Sequence, residues 1–182
     1  ITTSDSALKA GETATITFTL SEASTDFAVT DIDVSGGSIG DLTAVSSTVY
    51  TAVFTPSEDS TASGLISVTG DKFTDAADNA NTTGSLTLAV DTVVPEIAIT
   101  SSDSELKAGE TATITFTLSE DSTDFDVNDI SVSGGSIDSF TAVSSTVYTA
   151  VFTPSVDSTA SGLISVDASR FTDAAGNANT AG

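Results

Sequence analysis

The chain repeats itself, and that repetition limits what it can fold into more than any other feature. Ile1 recurs as Ile99, Phe18 as Phe116, Tyr50 as Tyr148, Pro56 as Pro154 and Phe73 as Phe171. The offset is constant at about 98 residues, and about 68 of 84 aligned positions are identical. A period of that length is one whole domain and is too long for a solenoid unit. The chain is therefore expected to form two tandem domains: residues 1–90, a connector at 91–95, and residues 96–182. The copies are not equally complete. Repeat 1 closes with Ser85-Leu86-Thr87-Leu88-Ala89-Val90, whereas Gly182 aligns with Gly84, so repeat 2 has no counterpart of that segment. Either the segment is cut from a longer protein or another chain donates the strand, because an unpaired edge is a liability in a β protein.

Hydropathy alternates with the period of strands. Thr13–Leu20 reads T-A-T-I-T-F-T-L, which puts Ala14, Ile16, Phe18 and Leu20 on one face and Thr13, Thr15, Thr17 and Thr19 on the other. Further strands are expected at Ile1–Thr3, Val29–Ser35, Ser38–Ser46, Thr48–Thr55, Leu65–Thr69 and Ser85–Val90, and at Glu96–Ser101 in repeat 2. Turn-forming runs separate them, among them Lys9-Ala10-Gly11-Glu12, Ser35-Gly36-Gly37-Ser38 and Pro56-Ser57-Glu58-Asp59. Short strands at this spacing without helical periodicity indicate a β-sandwich. Tyr50 and Tyr148, each inside V-Y-T-A-V-F-T-P, read as core residues. Strands that run up and down would gather the loops Ser21–Phe27, Ser46–Thr48 and Phe73–Gly84 at one end of repeat 1.

Charge narrows the partners. Twenty-six acidic residues against 4 basic ones give a net charge of −22, which argues against nucleic acid and against an anionic membrane surface. Acidity favours solubility and capture of hard cations; a halophilic surface is the plain alternative. Since 38% of residues are apolar and alternate with polar ones, a core is expected and not disorder. The chain holds no Cys and no His, so it offers no disulfide framework, thiolate metal site, nucleophilic thiol or imidazole base. It has no phosphate-cradling glycine loop either, and no enzymatic activity is expected. Asn81-Thr82-Thr83 matches a glycosylation acceptor pattern, a weak signal.

Carboxylates gather at the connector and at the loops expected beside it: Asp91, Glu120, Asp121, Asp124 and Asp173, with an amide from Asn177. They are either solvated turn residues, since Asp and Asn favour turns, or oxygen ligands of a cation. Ca2+ suits such a set better than Mg2+, because it accepts six to eight oxygens in flexible geometry.

Three motifs carry a resemblance that covers essentially the whole chain. V-D-T-V-V-P-E-I at Val90–Ile97, F-T-L-S-E at Phe116–Glu120 and F-T-D-A-A-G-N at Phe171–Asn177 resemble those of bacterial Ig-like domains, which are arrayed in large repetitive adhesins, including RTX-type biofilm adhesins. The resemblance implies an all-β fold: two tandem immunoglobulin-like Greek-key β-sandwiches, the second lacking its last strand. It also implies a structural extender at the bacterial cell surface or outside the cell, whose partners are neighbouring repeats, with Ca2+ stiffening the interdomain junction. Carried onto this chain, Asp91 would be the linker ligand, Glu120 and Asp173 loop ligands, and Asn177 a further ligand through side chain or backbone. Glu22, Asp75 and Asn79 are the repeat 1 equivalents. Asp78 stands in repeat 1 where repeat 2 has Gly176; if that position needs a positive φ, Asp tolerates it better than most residues. The RTX nonapeptide G-G-x-G-x-D is absent. The other functional class is a ligand-binding adhesin module for carbohydrate, a host protein or ice, the last suggested by the outward Thr rows; Thr is in any case favoured on exposed strand faces.

Overall fold

A computed structural model describes all 182 residues. Contacts divide the chain into two units, Ile1–Val93 and Val94–Gly182.

The first unit contains β1 (Thr2–Thr3), β2 (Ala7–Lys9), β3 (Ala14–Thr19), β4 (Asp33–Ser35), β5 (Gly37–Ile39), β6 (Thr43–Ala44), β7 (Val49–Pro56), β8 (Gly64–Val68) and β9 (Gly84–Asp91). One sheet runs β1-β3-β7-β5, with β6 also on β7, and the other runs β2-β9-β8-β4. Alternation along β3 buries Ala14, Ile16 and Phe18 as the sequence predicts. Ile16, Phe18 and Phe54 from the first sheet pack with Leu8, Ile66 and Leu88 from the second, each no more than 2% exposed, so the two sheets enclose one core. Burying a side chain of this size contributes about 1.5–3 kcal/mol, which is what keeps the two faces together. Tyr50 and Tyr148 are core residues, as expected: their hydroxyls donate to Ser24 O at 2.9 Å and Ser122 O at 3.0 Å.

The second unit contains β10 (Ile97–Ser101), β11 (Ala112–Leu118), β12 (Ile130–Ser133), β13 (Gly135–Ala142), β14 (Val147–Pro154) and β15 (Leu163–Val166). Its sheets run β10-β11-β14-β13 and β12-β15. Phe116, Phe152 and Phe171 lie in its buried cluster with Ile114 and Val166.

Three expectations need correction. Val29–Ser35 is not one strand: Val29–Asp31 is a 3-10 turn, and the strand begins at Asp33. The Asp31 carboxylate accepts the Ala28 N–H at 2.9 Å and holds the turn, so a local side-chain bond overrides the β preference of Val. Ser38–Ser46 is also interrupted. β5 ends at Ile39, the Gly40 N–H still bonds Val53 O at 2.8 Å, and pairing with β7 resumes only at Thr43. Repeat 2 spans the same stretch with one strand carrying a bulge between Asp138 and Thr141, where Ser139 takes φ 54°. The third correction is β2, which sequence reading leaves as loop. It pairs parallel with β9, Leu8 opposite Val90, whereas the matching residues 105–107 form no strand in the second unit.

Candidate functional site

The loop end of each repeat is built from short polar clips. In F-T-D-A-A-x-N, the Asp75 Oδ1 accepts the Ala77 and Asn79 backbone N–H groups at 2.8 and 2.9 Å, and Oδ2 accepts from Asn79 Nδ2 at 2.8 Å. Asp173 repeats the pattern with Ala175 and Asn177, all three bonds at 2.8 Å. The loop turns back through a left-handed residue, Asp78 at φ 61° in one repeat and Gly176 at φ 84° in the other, so the position does take a positive φ, which Asp tolerates. The Asn79 side chain, with its backbone N–H, holds the Asp75 carboxyl below the usual carboxylate range against the opposing effect of burial.

A second clip ties neighbouring loops together. Asp26 accepts from the Ser24 hydroxyl at 2.7 Å, the Thr74 N–H at 3.1 Å and the Thr74 hydroxyl at 3.1 Å. Asp124 does the same with Ser122 at 2.8 Å and with Thr172 at 2.9 and 2.8 Å. The Asp26 carboxyl is held low, first by Ser24 and then by the Thr74 N–H. For Asp124, burial pushes upward most strongly, yet the bonds from Thr172 and Ser122 together outweigh it and the carboxyl is also held low. With the Ser24 N–H on Ser47 O at 3.2 Å and Leu20 N–H on Thr48 O at 2.8 Å, the three loops of repeat 1 meet at one end, as the strand order predicts.

Sequence reasoning pooled Asp121 and Asp124 with the cation candidates. Asp124 is committed to the Thr172 clip, and Asp121 accepts the Ser145 hydroxyl at 2.6 Å. The clips themselves were missed, although Ser24-Thr25-Asp26-Phe27 recurs unchanged as Ser122-Thr123-Asp124-Phe125, and Ser-x-Asp spacing is a turn signal. Asn81 and Asn179 were missed as structural groups. Asn81 Nδ2 donates to Thr69 O and Thr82 O while Oδ1 accepts from the Lys72 and Phe73 N–H groups, so the amide of the glycosylation pattern is built into the fold.

The structure brings Glu120 and Asp173 together within the second unit: a carboxylate oxygen of one lies within 4.8 Å of a carboxylate oxygen of the other. Asp173 is 8% exposed, Asn177 is 2% exposed, Glu120 is half-buried and its Oε1 is shielded from solvent. Asn177 presents its Nδ2 to Asp173. Two carboxylates this close repel unless a proton or a cation lies between them. The Ala175 and Asn177 N–H groups and Asn177 Nδ2 use three of the roughly four acceptor directions of Asp173. Hard oxygen donors without thiolate or imidazole fit Ca2+. In the first unit Glu22, Asp75 and Asn79 line one open cleft of about 530 Å³ with Leu20 and Phe73. In the second, the corresponding end carries the segment Pro95–Ile97: Pro95 O accepts from Thr180 N–H at 3.0 Å, Glu96 O from Ser119 N–H at 2.9 Å, and the Ser119 hydroxyl from Glu96 N–H at 2.8 Å. Asp91 ends β9 in the first unit, where its Oδ1 accepts the Val93 N–H at 3.3 Å.

A family model described as bacterial Ig-like domain matches residues 1–90 and again residues 91–182. No curated protein and no solved structure matches the chain.

Proposed function

The chain belongs to the bacterial Ig-like domain family, in two tandem copies, and from that premise we propose that it is a structural extender of a large secreted bacterial adhesin whose interdomain junction is stiffened by Ca2+. Tandem domains of this family serve as non-catalytic modules of surface and extracellular proteins. The finer reading is supported by one observation above all: the close Glu120–Asp173 carboxylate pair at the end of the second unit that carries Pro95. Asp91 lies four residues before Pro95 in the sequence, so at most about 14 Å of extended chain separates their Cα atoms. That leash keeps the Asp91 carboxylate available to a cation held by Glu120 and Asp173, and a cation shared by connector and domain would remove hinge freedom from residues 91–95. Binding free energy then becomes rigidity, because only the ordered arrangement offers the full ligand set.

The near identity of the copies fits a spacer, in which each unit has the same task. The narrower reading, a segment of an RTX-type biofilm adhesin, rests on the likeness of the motifs at Val90–Ile97, Phe116–Glu120 and Phe171–Asn177 alone. Thermal unfolding of the 182-residue chain with and without millimolar Ca2+ tests the cation site. The melting temperature should rise with Ca2+, and Glu120→Gln or Asp91→Asn should remove most of that rise; without Ca2+, Glu120→Gln should melt no lower than the parent, because it relieves the repulsion of Asp173. An equal rise in both variants, or none in the parent, contradicts the site.

A further inference from the structure

The connector reads in the sequence as residues 91–95, yet one of its polar side chains is buried: Thr92 is 5% exposed. The turn that follows β7 encloses it. The Thr92 hydroxyl donates to Ser57 O at 2.7 Å, with Ser60 O farther off at 3.2 Å, and accepts the Ser60 N–H at 3.0 Å. The Thr92 N–H completes the exchange by donating to Ser60 O at 2.9 Å. We propose that the Thr92 hydroxyl is a positioning pin, which fastens the connector to the first unit and confines its bending to Val93 and Val94.

A pin needs a firm partner, and the turn is braced independently of it. The Ser57 N–H donates to Gly36 O at 3.0 Å, and the Ser60 hydroxyl accepts the Ala62 N–H at 3.1 Å. Between them Asp59 takes φ 47°, a left-handed turn residue. Just before the pin, Asp91 is still in β9, opposite Lys9 of β2. Thr also suits the place because its branched Cβ leaves few χ1 states to lose. On the other side of the connector the second unit takes hold at once. Pro95 O accepts the Thr180 N–H at 3.0 Å, and Glu96 exchanges bonds with Ser119 at 2.8 and 2.9 Å. The two valines lie between these anchorages. The Val93 N–H reaches Asp91 Oδ1 at 3.3 Å, a long bond. Val94 is held extended by the proline after it, whose own φ is fixed by its ring. A five-residue connector is thereby reduced to a two-residue hinge. In V-D-T-V-V-P the threonine passes for one more polar linker residue, and only its burial reveals the role. The inference rests on the extender reading for its purpose, since a spacer needs a connector with little slack, but the pin itself involves no cation.

The test therefore runs without Ca2+, by NMR relaxation and hydrogen exchange of backbone amides in the full 182-residue chain. In the parent, Asp91 and Thr92 should be as ordered as the rest of β9, with any loss of order confined to Val93 and Val94. Thr92→Val keeps the shape and deletes the hydroxyl. It should spread the disorder back to positions 91 and 92 and speed exchange of the Ser60 amide at least about tenfold. Thr92→Ser restores the hydroxyl and should behave as the parent. Parent-like order in Thr92→Val would overturn the proposal, and so would a serine variant as mobile as the valine one, because the methyl group would then be the anchor. A parent already as mobile at Asp91 and Thr92 as at Val94 would overturn it as well, whether or not the variants fold. None of these readouts depends on Ca2+, so a failed cation site and a failed pin are told apart.

Discussion

At the scale of single residues, carboxylates here do two different jobs. Asp26, Asp75 and Asp124 are tied into loops by hydrogen bonds to their charged forms, and all three are held below the usual carboxylate range. A folded-state value depressed in this way contributes stability above the unfolded pKa near 3.9, and that contribution is lost as pH falls through the lower folded value. Unfolding midpoints of a variant carrying Asp26→Asn and Asp124→Asn should therefore start lower than the parent's at neutral pH and converge on them below about pH 4. Parallel curves across that range would show that ionisation of the clips contributes nothing. Removing the clip outright with Asp124→Ala should cost about 1–3 kcal/mol, because the Thr172 N–H and hydroxyl lose a charged acceptor. Tyr148→Phe, which deletes the bond to Ser122 O, should cost about 1 kcal/mol in a denaturant titration. Sequence reading took Asp173 and Asn177 for cation ligands and overlooked the turn that their hydrogen bonds hold. Spacing alone does not separate a ligand pair from a turn; hydrogen-bond geometry identifies the turn.

Whether a segment becomes a strand depends on what lies beside it. Alternation made β3, β7, β8 and β9 readable, because each buries one face and the pattern follows from that burial. The 3-10 turns at Val29–Asp31 and Val127–Asp129 were not readable that way, since β-branched Val suggested a strand and the Asp side chains that hold the turns act through local hydrogen bonds. β2 was hidden for another reason: three residues carry no periodicity, and the strand exists only where β9 is present to pair with it. The same packing predicts a cost at one glycine. A Cβ on Gly64 would stand 2.7 Å from Phe54 Cζ and 3.5 Å from Leu88 Cβ, so the ring is hemmed in. Gly64→Ala should cost about 1–3 kcal/mol by overpacking. An unchanged midpoint of that variant in a denaturant titration would count against this account of the core.

For the whole molecule, repetition made the domain count and the sandwich class plain, since a period of about 98 residues with strand alternation leaves few alternatives. Which carboxylates work together was much less plain. Turn chemistry scatters Asp through every loop, and of the candidates only Glu120 and Asp173 are drawn close within the second unit, while Asp121 and Asp124 are diverted to Ser145 and Thr172. A net charge of −22 on 182 residues disfavours any arrangement that crowds acidic groups, and salt screens this only beyond about 8 Å at physiological ionic strength. A divalent cation held by Glu120 and Asp173 would relieve that repulsion at the point where two carboxylates come close. The central claim is that Ca2+ turns two linked domains into a stiff extender, and small-angle scattering of the 182-residue chain with and without millimolar Ca2+, repeated with Asp91→Ala, tests it most directly. The account predicts a narrower distribution of particle dimensions for the parent with Ca2+, and none of that narrowing in the variant. Identical scattering of the parent in both buffers would contradict it.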